Sequence, residues 1–128
     1  MRLLLDSHAL LWFGWNSPQL SGQAKDLIAD PRNELLFSAG SVWEIAIKAG
    51  LGKIQLVPSF EKFMERACTL LDLSILPISV AHAAAYTQLP FFHRDPFDRM
   101  LIAQAMVENI PILSADQAFK AYAVERLW

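Results

Sequence analysis

Four carboxylates stand where ordinary structural roles explain them incompletely: Asp6, Glu44, Asp98 and Asp116. Asp6 ends an apolar run at residues 3–5, and Asp116 follows another at residues 110–113. Carboxylates gathered without cysteine or paired histidine ligands suit hard, oxygen-loving ions such as Mg²⁺ or Mn²⁺. Such ions are the usual agents of phosphodiester hydrolysis, so these residue types indicate a metal-dependent nuclease.

Each of these carboxylates also has a simpler explanation. Asp6 and Asp116 could cap the helices that follow them, and Asp98 stands third in a helix, where the positive helix end favours a negative charge. Glu44 could pair with Lys48 one turn further on. Because its neighbours are apolar nearly all round, however, Glu44 is expected to be buried, and a buried carboxylate needs a partner. We therefore favour a metal site.

The sequence predicts alternating strands and helices, and hence a parallel sheet covered on both faces in a three-layer α/β/α sandwich. Asp95 and Pro96 have the cap and first-position preferences of a helix start, and Gly50 is expected to end a helix in the left-handed conformation. The predicted strands are residues 2–5, 34–37, 73–76, 110–113 and 124–127. The predicted helices are residues 8–15, 23–29, 41–49, 59–70, 79–88, 96–108 and 117–122.

This arrangement puts Asp6 and Asp116 at the carboxyl ends of the first and fourth strands. In open parallel sheets, functional sites form at these ends, above all where the strand order reverses. If the two strands are neighbours, the two aspartates lie side by side. The sequence leaves that adjacency open.

Composition sets the broad class. The 128 residues, 54% hydrophobic and 19% charged, predict a single globular domain spanning residues 1–128. The net charge of −2 argues against binding of nucleic acid by general charge alone, but without the four acids the chain has nine acidic and eleven basic residues. The only cysteine, Cys68, excludes an internal disulfide and is expected to pack in a helix.

Localisation and metal type follow from what the sequence lacks. Asp6 and His8 interrupt the apolar N-terminus before it reaches the length of a secretory signal, and no apolar run approaches the ~18–20 residues of a membrane span. We therefore expect a cytoplasmic protein. The three histidines lack zinc-ligand spacing. His82 is expected to be a packing residue, and His93 either contacts phosphate or is solvated in a loop.

Four stretches, taken together, resemble the PIN domain of VapC-like toxins from toxin–antitoxin pairs. They are LLDSH at residues 4–8, SVWEIAIK at 41–48, HRDPFDRMLIAQA at 93–105 and LSAD at 113–116. The resemblance implies a parallel sheet in the order 3-2-1-4-5 and a Mg²⁺- or Mn²⁺-dependent endoribonuclease that acts on single-stranded or looped RNA. It places the four acids on the family's acidic quartet.

The resemblance also implies roles for these residues. Asp6, Asp98 and Asp116 would ligate the metal, and Glu44 would hold a metal-bound water or position the attacking one. Attack by water would leave 5′-phosphate and 3′-hydroxyl ends. Supporting roles would fall to Ser114, beside the last acid, and to the helix cap Asp95. Candidate phosphate contacts are Lys48, Arg94 and Arg99, although exposed basic residues often have no such role.

The resemblance implies a small antitoxin as the main partner, in a homodimer or a toxin–antitoxin hetero-oligomer. A non-catalytic PIN scaffold retained for protein contact is an alternative, although the complete quartet argues against it. A phosphatase that forms an aspartyl-phosphate is a further alternative. That chemistry needs a second aspartate two positions after Asp6, where this chain has His8.

Overall fold

The computed structural model describes all residues, Met1–Trp128, as a five-stranded parallel sheet between two layers of helices. The strands are β1 (Arg2–Leu5), β2 (Glu34–Ser38), β3 (Ser74–Leu76), β4 (Ile112–Leu113) and β5 (Arg126–Leu127). The helices are α1 (Ser7–Gly14), α2 (Gly22–Ala29), α3 (Ala39–Gly50), α4 (Phe60–Leu71), α5 (Val80–Thr87) and α6 (Pro96–Glu108), with a short 3₁₀ helix at Gln117–Ala121.

The strand order is β3-β2-β1-β4-β5, and every neighbouring pair is parallel. This order confirms the predicted fold. Since the chain passes from β1 outward to β2 and β3, and then returns to the other side of β1, the order reverses between β1 and β4. Leu5 pairs with Leu113 in that register, so the residues that follow the two strands leave the sheet together.

Alternation along β1 divides the core between the two faces of the sheet. Leu3 and Leu5 are fully buried against α1, α2 and α4, whereas Leu4 is fully buried against α6. Because every residue of the strand after Arg2 is covered, the strand reads as a continuous apolar run, as expected for a parallel sheet buried on both faces. No helix is both long and apolar enough to cross a bilayer.

Two local predictions need correction. Helix α3 includes Gly50, and the residue with left-handed backbone is Gly52, at φ +71°. The last two strands are shorter than predicted, because β4 and β5 pair over only two residues each. From β4 the chain continues through Ser114 and Asp116 into the 3₁₀ helix at this edge of the sheet.

Candidate metal centre

The first acidic residue of the site, Asp6, lies where β1 passes into α1. Its carboxylate is 5% exposed and accepts a hydrogen bond from the Ala9 amide at 2.7 Å, which caps the helix. The Ser114 hydroxyl donates to its other oxygen. Burial raises the pKa of Asp6, an effect opposed by these hydrogen bonds and reinforced by the negative charge of Glu44. The cap and the site position therefore coexist.

Ser114 connects the two central strands at this edge. Its hydroxyl is fully buried, donates to Asp6 and accepts a hydrogen bond from the Asp116 amide at 3.0 Å. It therefore fixes one acidic residue relative to the loop that carries another. The Asp116 carboxylate caps the 3₁₀ helix through the Ala118 amide at 2.9 Å and remains partly exposed.

We expect Ser114→Ala to lower the free energy of unfolding by about 1–3 kcal/mol, because it leaves a buried carboxylate oxygen and a backbone amide unpaired. Urea unfolding in EDTA measures this. Ser41→Ala is the matched control, because it removes a buried hydroxyl that has no hydrogen-bond partner. Equal effects of the two substitutions would contradict the connecting role of Ser114.

Glu44 faces the same edge from α3, and it is 8% exposed. Lys48 lies 3.4 Å from its carboxylate, so the predicted pairing within the helix is present. One lysine does not account for the site, since Glu44 also raises the pKa of both Asp6 and Asp98 through its negative charge. The three carboxylates are therefore close enough to repel one another.

Asp98 occupies the first turn of α6, which begins after Asp95 as predicted. The Asp95 carboxylate accepts from the amides of Phe97 at 2.8 Å and Asp98 at 3.0 Å. The pKa of Asp98 is raised to about 7, mainly by burial and then by the negative charges of Asp95, Glu44 and Asp6, against the opposing effect of His93. In this setting a nearby cation would lower the free-energy cost of ionising Asp98.

Sequence reasoning left His93 undecided, and the structure places it in the site. Its Nε2 lies 3.0 Å from Asp98 Oδ2 and 3.5 Å from Asp116 Oδ2, and one atom from each of the three residues falls within 4.8 Å of the others. The only local signal was its position five residues before Asp98, at the end of a loop fixed by the Asp95 cap.

The donor set fits a divalent cation. Four carboxylates converge on one edge of the sheet, and burial and mutual repulsion raise the pKa of Asp6 and Asp98. Lys48, 3.4 Å from Glu44, is a cation paired with one of them. Oxygen donors of this kind are those that Mg²⁺ and Mn²⁺ prefer.

The three predicted phosphate contacts have different outcomes. Lys48 and Arg94 lie partly or fully exposed, so both stay predictions. The structure contradicts a phosphate contact for Arg99, which is 2% exposed and donates to the carbonyls of Leu89, Pro90 and His93. His82 is buried and joins the N-terminal cap of α5, as expected for a packing residue.

An aromatic pair made by exposed Trp43 and half-buried Phe97 escaped sequence analysis. Trp43 is 64% exposed and packs edge to face on Phe97, with 5.5 Å between ring centroids. Each ring belongs to the residue immediately before an acidic one, Glu44 on α3 or Asp98 on α6.

Solved structures with the same fold include toxin–antitoxin proteins. VapBC2 from Rickettsia felis, bound to a promoter DNA fragment, is similar at a TM-score of 0.69 and 15% identity, with 99% of this chain and 98% of that chain covered. FitAcB from Neisseria gonorrhoeae is similar at a TM-score of 0.70 and 19% identity, with 98% of this chain and 96% of that chain covered. VapBC-1 from nontypeable Haemophilus influenzae is similar at a TM-score of 0.66 and 16% identity, with 99% of this chain and 97% of that chain covered.

A comparison with curated protein sequences finds no match. The family comparison is decisive, because the model of the PIN domain matches residues 3–125 and therefore spans all four carboxylates. The chain belongs to the PIN domain family.

Proposed function

We propose that this protein is a Mg²⁺- or Mn²⁺-dependent endoribonuclease that hydrolyses RNA to 5′-phosphate and 3′-hydroxyl ends. The observation that carries the proposal is the convergence of Asp6, Glu44, Asp98 and Asp116 at the edge where β1 and β4 end. If these acids served only as helix caps, they would not need to lie together in one partly buried region, where their negative charges repel one another.

The residues divide the work as follows. Asp6, Asp98 and Asp116 would hold the ion, which when bound lowers the pKa of water and neutralises charge on the phosphate. Glu44, buried beside them, would orient the attacking water through its carboxylate. Ser114 keeps Asp6 and the Asp116 loop in register.

The substrate proposal rests on access. Asp116 and Asp98 are the more exposed acids, with 45% and 24% of their side chains accessible, whereas Asp6 and Glu44 line the interior of the site. A single strand or loop of RNA, whose backbone can bend toward the edge, suits such an opening better than a regular duplex. Arg94 and Lys48, each four residues from an acid of the site and each at least partly exposed, remain candidate phosphate contacts.

We further propose that a small antitoxin protein is the main partner, in a toxin–antitoxin hetero-oligomer. The support is the likeness in fold to VapBC and FitAcB proteins. A gene beside this one that encodes a small protein, and co-purification of the two products when expressed together, would test the partner.

Product chemistry tests the proposed reaction. Incubating total RNA with the purified protein and Mn²⁺ should give fragments that a 5′-phosphate-dependent exonuclease degrades, since water is the nucleophile. Cyclic phosphate ends would indicate attack by the RNA 2′-hydroxyl and would contradict the mechanism. Release of phosphate from p-nitrophenyl phosphate, without RNA cleavage, would instead favour the phosphatase.

A further inference from the structure

Two buried side chains, Tyr122 and Arg99, hold the loop before α6. The His93 amide donates to the Tyr122 hydroxyl at 2.8 Å, and that hydroxyl donates to the Pro90 carbonyl at 2.8 Å. The Arg99 guanidinium donates to carbonyls of the same loop at 3.0–3.4 Å and lies 4.1 Å from the centroid of the Phe91 ring. Arg99 makes no ion pair, so a buried cation is used entirely to hold backbone and stack on aromatic rings.

The ring of His93 is fixed in one tautomer by its neighbour. The Asp95 amide donates to His93 Nδ1 at 3.2 Å, which requires a lone pair on that nitrogen. The proton of the neutral ring is therefore on Nε2, the nitrogen that faces the acids. A metal ion on Nε2 would move the proton to Nδ1, where it would point at the Asp95 amide. Metal-ligating histidines normally donate from their other nitrogen, so this ring is arranged as a donor.

The Nε2–H group has no hydrogen-bond acceptor of its own. Although Nε2 is 3.0 Å from an Asp98 oxygen and 3.5 Å from an Asp116 oxygen, it is buried and aligned for a hydrogen bond with neither. A buried donor without a partner is costly, so an acceptor that reaches Nε2 when substrate binds would be favoured. In an RNA-cleaving site, that acceptor is a phosphate oxygen.

We propose that His93 is a catalytic residue whose Nε2–H donates to a non-bridging oxygen of the scissile phosphate, and that Arg99 and Tyr122 are positioning residues that hold its loop. The inference rests on the proposed function and deepens it. A donor fixed before the reaction stabilises the charge that grows on the phosphate oxygens without having to reorganise.

The test compares His93→Ala with His93→Gln, since glutamine offers an N–H donor near the position of Nε2. We expect His93→Ala to lower kcat on a short RNA containing a mapped cleavage site by about 100-fold, and His93→Gln to recover at least about tenfold of that loss. Mn²⁺ binding to the metal-free protein, measured from the electron paramagnetic resonance of free Mn²⁺, should change by less than about twofold in both, because the ring does not ligate the ion.

Several results would overturn the inference. A loss of Mn²⁺ affinity of about tenfold or more in His93→Ala would make His93 a metal ligand. An unchanged kcat, or a loss of kcat that glutamine does not relieve, would remove the donor role. A wild-type protein that cleaves no RNA would refute the proposed function itself, and a wild type and His93→Ala that cleave equally would refute only the role of His93.

A double-mutant cycle tests the positioning role of Tyr122. Tyr122→Phe keeps the ring and removes only the hydroxyl, and we expect it to lower kcat about tenfold in the wild-type background and not at all in His93→Ala. Equal losses in both backgrounds would show that Tyr122 acts through stability or another residue, and would overturn its assignment. The nitrogen chemical shifts of the His93 ring should report the Nε2–H tautomer in the wild type.

Discussion

Asp98→Asn is expected to lower kcat for RNA cleavage by about 1,000-fold or more, which corresponds to about 4 kcal/mol of transition-state stabilisation. The amide keeps the size of the side chain but removes the charge that would hold a divalent ion. The same substitution should not weaken the fold, because burial and the negative charges of Asp95, Glu44 and Asp6 disfavour the ionised carboxylate that it removes.

Asp26→Asn is the matched control for this loss. Asp26 is an exposed residue of α2, so the chemical change is identical and the site is untouched. Single-turnover cleavage of one RNA oligonucleotide, with thermal unfolding of each variant, separates chemistry from folding. Retention of more than about a tenth of the wild-type rate by folded Asp98→Asn would contradict the assignment of Asp98 as a metal ligand.

The metal-free protein should lose stability as pH rises from about 4 to about 7. The pKa of Asp98 is about 7 in the folded protein and near 3.8 when unfolded. Between these values the folded state binds more protons than the unfolded state, so stability falls with rising pH and levels off above 7. The loss is at most about 4 kcal/mol for Asp98. The raised pKa of Asp6 acts in the same direction.

Urea unfolding of the wild type and Asp98→Asn in EDTA, at pH 5 and pH 8, measures this effect. The asparagine variant should be the more stable protein at pH 8, and the difference should shrink at pH 5. Adding Mn²⁺ at pH 8 should raise the free energy of unfolding of the wild type far more than that of the variant, because the ion binds the ionised acid. The opposite charge effect at Asp30, whose pKa is lowered to about 2 beside Arg32, falls outside this window. If the wild type were more stable than Asp98→Asn in EDTA at pH 8, the inferred repulsion between Asp98 and its acidic neighbours would be wrong.

The fold was largely predictable because its signals are local. Continuous apolar runs mark β1 and β2 as strands buried on both faces, and the Asp95 and Pro96 pair fixes the start of α6. The ends of β4 and β5 were harder to predict, because a two-residue pairing has no periodicity to detect. Gly50 was misassigned because the turn that needs positive φ lies two residues later, at Gly52.

The candidate site was predictable where residue type carries the chemistry, and not where tertiary packing does. Four acids at strand and helix ends are visible in the sequence. The burial of Arg99 is not, because a basic residue beside an acid looks the same whether it meets solvent or backbone carbonyls. The aim of His93 depends on the Tyr122 hydroxyl, 29 residues away, and no local pattern reports such a contact.

We propose above that these carboxylates hold a metal ion and that the protein uses it to cleave RNA. The most direct test is incubation of total cellular RNA with antitoxin-free wild type, with and without Mn²⁺ or Mg²⁺, with EDTA and Asp98→Asn as controls. We predict discrete fragments with wild type and metal alone, and none with EDTA or the variant. Folded wild type that cleaves nothing in either metal, or fragments that persist in EDTA and Asp98→Asn, would contradict the claim.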